Sequence, residues 1–321
     1  MFMGYFAFIF PTKMRPINNL KLLATGVIAL LLLQACKQKP APAYNDTFAT
    51  GDAKFAADES FAPIVDDENY IFKALDPKAK PDIIYKAENE VVNMLLQDSV
   101  RVVILSRELD TNEIKVLKTK NLSPATSQFA VDAVAIIVNK ASNDTTITVS
   151  EIKKMLTGET KSAKNIVFDN PGSSLVRYLK TLSGSDNFKP KNVFALKSNK
   201  EVINYVSTHA DAIGFAGFNW LDDPSPDYAD AIKNIKIVAV KDEDNKKYGT
   251  QYFKPSQATL SQDQYPLSRP LYIINCTGRD GLGTGFASFL TSERGQDIVL
   301  SSGILPANMP GREIKIEHKL K

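Results

Sequence analysis

From residue 51 onward, short apolar runs alternate with segments in which apolar residues recur every three or four positions. The first pattern is typical of buried strands and the second of amphipathic helices. Three such pairs in succession predict the order βαβαβα, which favours a parallel sheet with helices on both faces. These predicted elements are a strand within residues 51–63, a helix at Ile64–Leu75, a strand at Asp82–Tyr85, a helix at Glu88–Gln97, a strand at Val100–Leu105 and a helix at Thr111–Thr119.

The alternation continues through the rest of the chain, where the apolar runs are longer. Serine or threonine precedes several helical segments and glycine follows some of them, as helix starts and stops require. The predicted strands here are Val131–Asn139, Ala212–Phe218, Ile235–Val240 and Tyr265–Ile274. The predicted helices are Val149–Gly158, Asn199–His209 and Gly283–Ser301.

Polar residues follow several of the predicted strands. Ser60 follows the first strand, Ser106 and Arg107 follow the third, and Ser173 and Ser174 follow a later apolar run. In open α/β sheets, ligands bind beyond the carboxyl ends of the strands. Three separate elements are therefore expected to deliver hydroxyl or guanidinium groups to the same edge, where an anion would bind.

The stretch from Phe168 to Leu179 combines an Asn-Pro-Gly turn with two serines at a predicted helix start. The free N–H groups of a helix start, together with the hydroxyls of Ser173 and Ser174, suit an oxyanion. Arg177 lies about one turn further on and points either toward the same place or away from it. A simpler interpretation is that one of the serines only caps the helix.

Residues 1–35 are predicted to be a signal peptide rather than part of the fold. A basic segment precedes the apolar run Leu22–Leu33, which is too short to span a membrane comfortably. The segment Leu33–Cys36 resembles a lipobox, which predicts that Cys36 carries lipid. An uncleaved anchor helix is the alternative. Residues 36–50, rich in alanine and proline, are predicted to be a flexible tether.

The predicted mature chain has no excess charge. Removal of residues 1–35 takes away Lys13, Arg15 and Lys21, so 36 of the 39 basic residues remain and balance 36 acidic ones. This balance argues against a nucleic-acid-binding protein and against long-range steering of anions. Any selectivity for an anion must therefore arise locally.

Histidine and cysteine usage gives no indication of a metal or catalytic centre. His209 and His318 lie far apart, without a second ligand at metal-binding spacing, and no Ser-His-Asp or Cys-His arrangement occurs. We therefore predict no cofactor, no metal and no enzymatic activity. Once Cys36 is lipidated, Cys276 cannot form an intramolecular disulfide and is most simply a small core residue.

Six short motifs occur in a fixed order. They are Asp58–Phe61, Ser106–Leu109, Val131–Asn139, Ile213–Gly217, Tyr265–Pro270 and Phe286–Gln296, the last followed by Gly303–Pro306. Each motif is weak alone, but the ordered set is specific. Through it, the region from Asp52 to Arg312 resembles the phosphate-binding (PstS-like) family of solute receptors for ABC importers.

The resemblance implies a type II periplasmic binding protein fold. In that fold, two α/β lobes, each a sheet flanked by helices, are joined by a two-strand hinge and enclose a ligand by hinge closure. The hinge strands are expected near Val131–Val138 and Tyr265–Tyr272. The implied boundaries are 51–131 and 269–317 for the first lobe, 132–268 for the second lobe and 318–321 for a tail.

The resemblance also implies a site for the anion. The residues that match the family's binding turns are Ser60, Phe61, Ser106, Arg107, Ser173 and Ser174. An arginine that the family places before the last of these turns falls here on Val167, and a carboxylate that many members carry after the third strand is replaced by Arg107. We therefore expect Arg107 and Arg177 to supply the cation, since guanidinium groups bind tetrahedral oxyanions in a bidentate manner.

The function implied is capture of inorganic phosphate by a monomeric, lipid-anchored receptor on the periplasmic side of a bacterial inner membrane. The receptor would present phosphate to the permease subunits of an ABC transporter. Asp58, Glu88 and Asp169 are candidates for the acceptor of a ligand proton, which sulfate lacks. The alternatives are a receptor for sulfate or another oxyanion and an interaction or sensor lipoprotein. A phosphatase-like enzyme would need a metal cluster or a nucleophile–base pair.

Overall fold

The structure, a computed structural model, describes residues 45–160, 163–188 and 190–311. The predicted signal peptide, Cys36 and the tail at 318–321 lie outside these residues. The strands are β1 Gly51–Asp58, β2 Ala79–Lys86, β3 Val102–Leu105, β4 Ala125–Asn139, β5 Thr146–Thr148, β6 Asn165–Phe168, β7 Val193–Ala195, β8 Ala212–Gly217, β9 Ile235–Ile237, β10 Ala239–Lys241, β11 Ser268–Asn275 and β12 Leu305–Pro306. The helices are α1 Ala62–Leu75, α2 Glu88–Leu96, α3 Thr111–Thr119, α4 Val149–Thr157, α5 Ser174–Ser183, α6 Asn199–Thr208, α7 Ala229–Ile232, α8 Gln257–Ser261, α9 Leu282–Thr291 and α10 Glu293–Ser301.

The strand β4 belongs to two sheets. Its residues 125–133 pair with β11, and its residues 134–138 pair antiparallel with β8. The resulting strand order is β2-β1-β3-β11-β4-β8-β6-β7. We call the part built on β1, β2, β3 and β11 the first lobe and the part built on β6, β7 and β8 the second lobe. The chain therefore crosses between the lobes along β4 and again just before β11.

The sheet of the first lobe is covered on both faces. Alternate residues of β1 and β3 face opposite sides, so that Phe55 and Ile104 pack with α1 and α9, whereas Ala56 and Val103 pack with α2 and α3. Residues 55–57 of β1 and all of β3 are apolar, because neither face meets water there. The predicted helices on both faces are present, and β1, β2 and β3 are parallel as expected.

Local sequence signals account for the start of α3 and for both ends of α4. Asp110 and Glu113 form a capping box at the start of α3. Thr148 and Glu151 do the same for α4, which ends at Gly158 in the left-handed conformation (φ +79°). These three boundary signals were visible in the sequence.

Two predicted segments are each divided in the structure. The predicted helix Gly283–Ser301 is two helices, because Ser292 is extended (ψ 164°) and caps α10. The predicted strand Ile235–Val240 is β9 and β10, which pair with β4 and β5 respectively. A change of pairing partner explains the second break.

The first described residues pack on the folded part of the chain. Asp46 accepts the Leu282 N–H at 2.9 Å and pairs with Arg279 at 2.6 Å, and Thr47 forms a bridge with Thr50. The folded unit therefore begins at Asp46, whereas the sequence predicted a tether up to residue 50. Within the described ranges, no helix is both long enough and apolar enough to cross a bilayer.

Candidate anion site between the lobes

The turn that precedes α5 has the predicted strand–turn–helix form. After β6 ends at Phe168, the chain turns into a helix whose N-cap is Ser173. The Ser173 Oγ accepts the Val176 N–H at 3.2 Å, so the capping interpretation holds for this serine. Ser174, the first residue of α5, leaves its own N–H for another partner.

That partner is Asp58, at the end of β1 in the first lobe. Asp58 Oδ2 accepts the Ser174 N–H at 3.0 Å, and its Oδ1 accepts the Ser60 N–H at 3.1 Å. The Asp58 side chain is fully buried. One carboxylate therefore takes backbone N–H groups from both lobes.

A second buried carboxylate, Asp169, takes the hydroxyls. Its Oδ1 accepts Ser173 Oγ–H at 2.5 Å, and its Oδ2 accepts Ser60 Oγ–H at 3.0 Å and an Asn199 Nδ2–H at 3.0 Å. Its negative charge acts on Asp58, so the two carboxylates are electrostatic neighbours. The structure thus brings Ser60, Ser173 and Ser174 together at one place.

Glu88, at the start of α2, accepts hydrogen bonds from two further predicted residues, Ser106 and Arg177. Arg177 binds Glu88 through Nε at 2.5 Å and through Nη2 at 3.2 Å, and this Nη2 also donates to Ser106 Oγ at 2.7 Å. Ser106 in turn donates to Glu88 Oε2 at 3.2 Å. The charge of Glu88 also acts on Asp58, so this group adjoins the serine group.

Arg107 is placed differently from the expectation. Both of its terminal nitrogens bind Glu113 at 2.7 Å, and only Nε approaches Glu88, at 3.4 Å. Glu113 lies six residues further along the same lobe and also caps α3. The guanidinium that was expected to face the ligand is therefore paired within its own lobe.

A family model matches most of the folded chain. Residues 42–294 match the model described as the PBP superfamily domain. The chain belongs to the PBP superfamily. The predicted two-lobed α/β fold of this superfamily is confirmed.

Comparison with individual proteins agrees with this assignment. The chain is 27% identical over 261 residues to the phosphate-binding protein PstS of Borreliella burgdorferi, covering 76% of this chain and 86% of that protein. A substrate-binding protein of Clostridium perfringens, assigned to a phosphate ABC transporter and solved with bound phosphate, superposes with a TM-score of 0.66. It is 19% identical, and the match covers 80% of this chain and all of that one. An ABC-type phosphate transport receptor from Vibrio cholerae superposes with a TM-score of 0.60 at 19% identity, covering 79% of this chain and 99% of that one.

Two charged residues of this PBP superfamily protein lie in the hinge strands and were not predicted to belong to the site. Asp132 on β4 and Arg269 on β11 are both buried, and Arg269 binds Asp132 Oδ2 through Nη2 at 2.8 Å and Nε at 3.2 Å. The signal that could have found them is a charge inside an otherwise apolar strand, since a buried charge needs a partner.

Arg269 also reaches the serine group. Its Nη1 donates to Ser174 Oγ at 3.2 Å, and its guanidinium lies 4.5 Å from the centre of the Phe61 ring. Phe61 is itself a predicted site residue and is fully buried. The face of the Phe61 ring therefore lies against the Arg269 guanidinium.

The carbonyl oxygen of Ser60 is held by the second lobe. The Trp220 Nε1–H donates to it at 3.0 Å and an Asn219 Nδ2–H at 3.1 Å. Trp220 is buried, and this hydrogen bond connects it to the first lobe. Asn219 was not predicted and gives no sequence signal by which it could have been found.

Burial raises the pKa of three carboxyl groups at the site. It raises the pKa of Asp58 to about 7, and the charge of Glu88 adds to the effect. It also raises the pKa of Glu59 to about 7 and raises the pKa of Asp169, although the hydrogen bond from Ser173 opposes the latter shift. The Asp58 and Glu59 carboxyls can therefore take up or release a proton near neutral pH.

The other candidate residues are remote from this cluster. His209 stacks on Tyr205 with ring centroids 3.9 Å apart, and Cys276 is a buried thiol. Among the residues that the structure describes, no group of three histidine, cysteine or acidic side chains could hold a metal ion. His318 lies outside the described residues.

Proposed function

We propose that this protein is an extracytoplasmic receptor that binds inorganic phosphate between its two lobes for import by an ABC transporter. The observation that carries the proposal is a convergence of donors from both lobes. The N–H groups of Ser60 and Ser174 and the hydroxyls of Ser60 and Ser173 meet at the buried oxygens of Asp58 and Asp169. These donors include the start of a helix, which is a favourable position for an oxyanion.

The names of the related proteins support this choice of ligand. The relative from Borreliella burgdorferi is called a phosphate-binding protein, and the Clostridium perfringens structure contains phosphate. Both are described as binding or transport proteins, and we propose no catalysed reaction for this chain.

Binding is an exchange of acceptors in this proposal. Phosphate oxygens take the backbone N–H groups of Ser60 and Ser174, which Asp58 otherwise accepts. The phosphate then gains donors whose positions are fixed by elements of both lobes. Closure of the lobes is favoured because the donors come together from both sides only in the closed form.

The buried carboxyl groups are a reason to expect phosphate rather than sulfate. Asp58 lies beside both backbone N–H groups and has a pKa of about 7 because of its burial. Its ionised form can accept the proton of hydrogen phosphate, whereas sulfate has no proton to give and would leave two like charges in contact. We therefore propose that Asp58 accepts a hydrogen bond from the ligand proton and so distinguishes phosphate from sulfate.

The Glu88 group would complete the site. A ligand that displaces Glu88 gains the Ser106 hydroxyl and the Arg177 guanidinium, both now bound to this carboxylate. Arg107 contributes through its Nε, which already faces Glu88. Phe61 provides the apolar wall beneath the donors.

We further propose the cellular setting that the sequence indicates. A lipid on Cys36 would hold the monomeric receptor at the periplasmic face of a bacterial inner membrane, where it would meet the permease subunits. Metabolic labelling with a palmitate analogue in the native host should label the wild-type protein and not a Cys36→Ser variant.

Calorimetric titration of the domain starting at residue 45 with phosphate and with sulfate, between pH 5 and 8, tests the proposed ligand. We expect phosphate to bind more tightly than sulfate. Ser60→Ala should weaken phosphate binding about 10- to 150-fold, because it removes a hydrogen bond to a charged group. The matched control is Ser261→Ala, which removes an exposed hydroxyl at the end of α8.

Two outcomes would contradict the proposal. Tighter binding of sulfate would assign the protein to the other oxyanion class. Absence of heat with both anions, in a protein that is folded by circular dichroism, would leave the interaction or sensor lipoprotein as the better interpretation.

A further inference from the structure

The guanidinium of Arg269 is the most deeply buried cation of the site. The side chain is 1% exposed, and that of its partner Asp132 is fully buried. Burying a charge is costly unless it is paired and hydrogen-bonded. The fold therefore holds this cation in place for a structural or a functional reason.

The pair with Asp132 uses only part of the guanidinium. Arginine has five N–H groups in a planar fork. In the described part of the chain, Nε and one Nη2–H bind Asp132, and one Nη1–H binds Ser174 Oγ. The second N–H of Nη1 and of Nη2 has no acceptor among these residues, although the group is buried. A buried cation with unused donors is suited to a further acceptor.

The residues that contact Arg269 belong to the anion site. Ser174, which accepts from Nη1, also gives its N–H to Asp58. Phe61 lies under the guanidinium plane and follows Ser60 in the chain. The positive charge of Arg269 also lowers the pKa of Asp169, against the larger effect of burial. Its field therefore reaches Asp169, the carboxylate that accepts the serine hydroxyls.

The other cations around the site are already neutralised. Arg107 forms two 2.7 Å contacts with Glu113, and Arg177 binds Glu88 at 2.5 Å. The position before the turn at which related receptors are expected to carry an arginine is Val167, a fully buried residue of β6. A ligand can use these two cations only by displacing the carboxylates that bind them.

We propose that Arg269 supplies the guanidinium that contacts the bound oxyanion, in place of an arginine in the turn before α5. This inference rests on the proposed function, since it names a ligand residue of the same site. Arg269 remains bound to Asp132 and adds its unused N–H groups to the ligand. Since Arg269 on β11 is bound to Asp132 on β4, the ligand becomes linked to both hinge strands. Asp132 also accepts the N–H and an Nδ2–H of Asn219, which extends this link to the second lobe.

Loss of Arg269 alone would leave Asp132 unpaired, so the test avoids that single deletion. The double variant Asp132→Asn/Arg269→Gln removes both charges, and Arg269→Lys keeps one cation for Asp132 without the planar fork. Asp132→Asn alone keeps the guanidinium and removes its competing carboxylate. Arg294→Gln, on α10, is the matched control for loss of an arginine elsewhere. Each folded variant is titrated with inorganic phosphate by calorimetry.

We expect the double variant to bind phosphate about 10- to 150-fold more weakly than the wild type, the factor that corresponds to one hydrogen bond with a charged group. Arg269→Lys should also weaken binding at least about tenfold. Asp132→Asn should bind more tightly than the wild type, because Arg269 is freed for the ligand, and Arg294→Gln should bind like the wild type.

Other outcomes would overturn the assignment. Wild-type affinity in the double variant or in Arg269→Lys would show that Arg269 serves only as the partner of Asp132. Equal weakening in the double variant and in Asp132→Asn would show the same, since loss of the pair would then explain both. If the wild type itself does not bind phosphate, the proposed function fails together with this inference. In the two outcomes above the wild type still binds phosphate, so only the role of Arg269 fails.

Discussion

Asp132→Ala is expected to lower the free energy of unfolding by about 3–5 kcal/mol, the usual cost of leaving one member of a buried ion pair without its partner. Asp132 accepts two hydrogen bonds from Arg269 and two from Asn219, and its side chain is fully buried. The substitution removes all four acceptor contacts and leaves the guanidinium uncompensated. The urea-unfolding midpoint, together with the slope of the transition, measures the loss.

The matched control is Asp230→Ala. Asp230 pairs with Lys233 at 2.7 Å, but the two side chains are 93% and 74% exposed, so water screens the pair. Its unfolding midpoint should be close to that of the wild type. If both aspartate variants shift the midpoint equally, the Asp132–Arg269 pair is not the buried contact described above.

Glu68→Met is expected to stabilise the protein at pH 7, by about 1–3 kcal/mol. Glu68 lies on the inner face of α1 and is fully buried, and neither of its carboxyl oxygens has a hydrogen-bond partner among the described residues. Burial raises the pKa of Glu68 to about 9, and the charge of Asp67 adds to the effect. Methionine has a similar volume and no polar group that requires a partner.

The pH dependence of the free energy of unfolding gives the same test a second measurement. The folded protein holds the Glu68 proton up to about pH 9, whereas the unfolded chain releases it near the ordinary glutamate value of 4.5. Between these values the folded state binds more protons, so stability falls as pH rises, by up to about 1.4 kcal/mol per pH unit for this one group. Glu68→Met should remove that part of the slope.

Glu68→Gln separates charge from hydrogen bonding. It should flatten the slope as methionine does, but stabilise the protein less at pH 7, because the buried amide still lacks partners. A wild-type slope in both variants would mean that other groups, such as Asp58 and Glu59, dominate the titration.

The sequence predicted the elements of the fold well where apolar residues mark a buried face. It missed the first part of β4, which begins at Ala125 rather than Val131, because Thr126–Gln128 are exposed and polar although they pair with β11. Backbone pairing of this kind leaves no trace in hydrophobicity. The break at Ser292 was missed for a similar reason, since a serine is compatible with both a helix and its N-cap.

The site could be predicted only in part. The serines at strand ends were found because a turn before a helix has a local signature. The Asp132–Arg269 pair joins residues 137 positions apart, and which charges meet across that separation depends on the tertiary fold. The contact between Arg107 and Glu113 spans only six residues, so it is of the local kind that a sequence can suggest.

The position of Asp58 has a consequence for how the affinity of such a receptor can change. In the proposed binding mode, the N–H groups of Ser60 and Ser174 bind Asp58 before the ligand enters and the ligand afterwards, so stronger donors would stabilise both states alike. The affinity for phosphate then depends on the difference in free energy between the hydrogen bonds to the ligand and the hydrogen bonds to the Asp58 carboxylate. Affinity should therefore change more when a substitution weakens the hydrogen bonds of the Asp58 carboxylate than when it adds hydrogen-bond donors to the site.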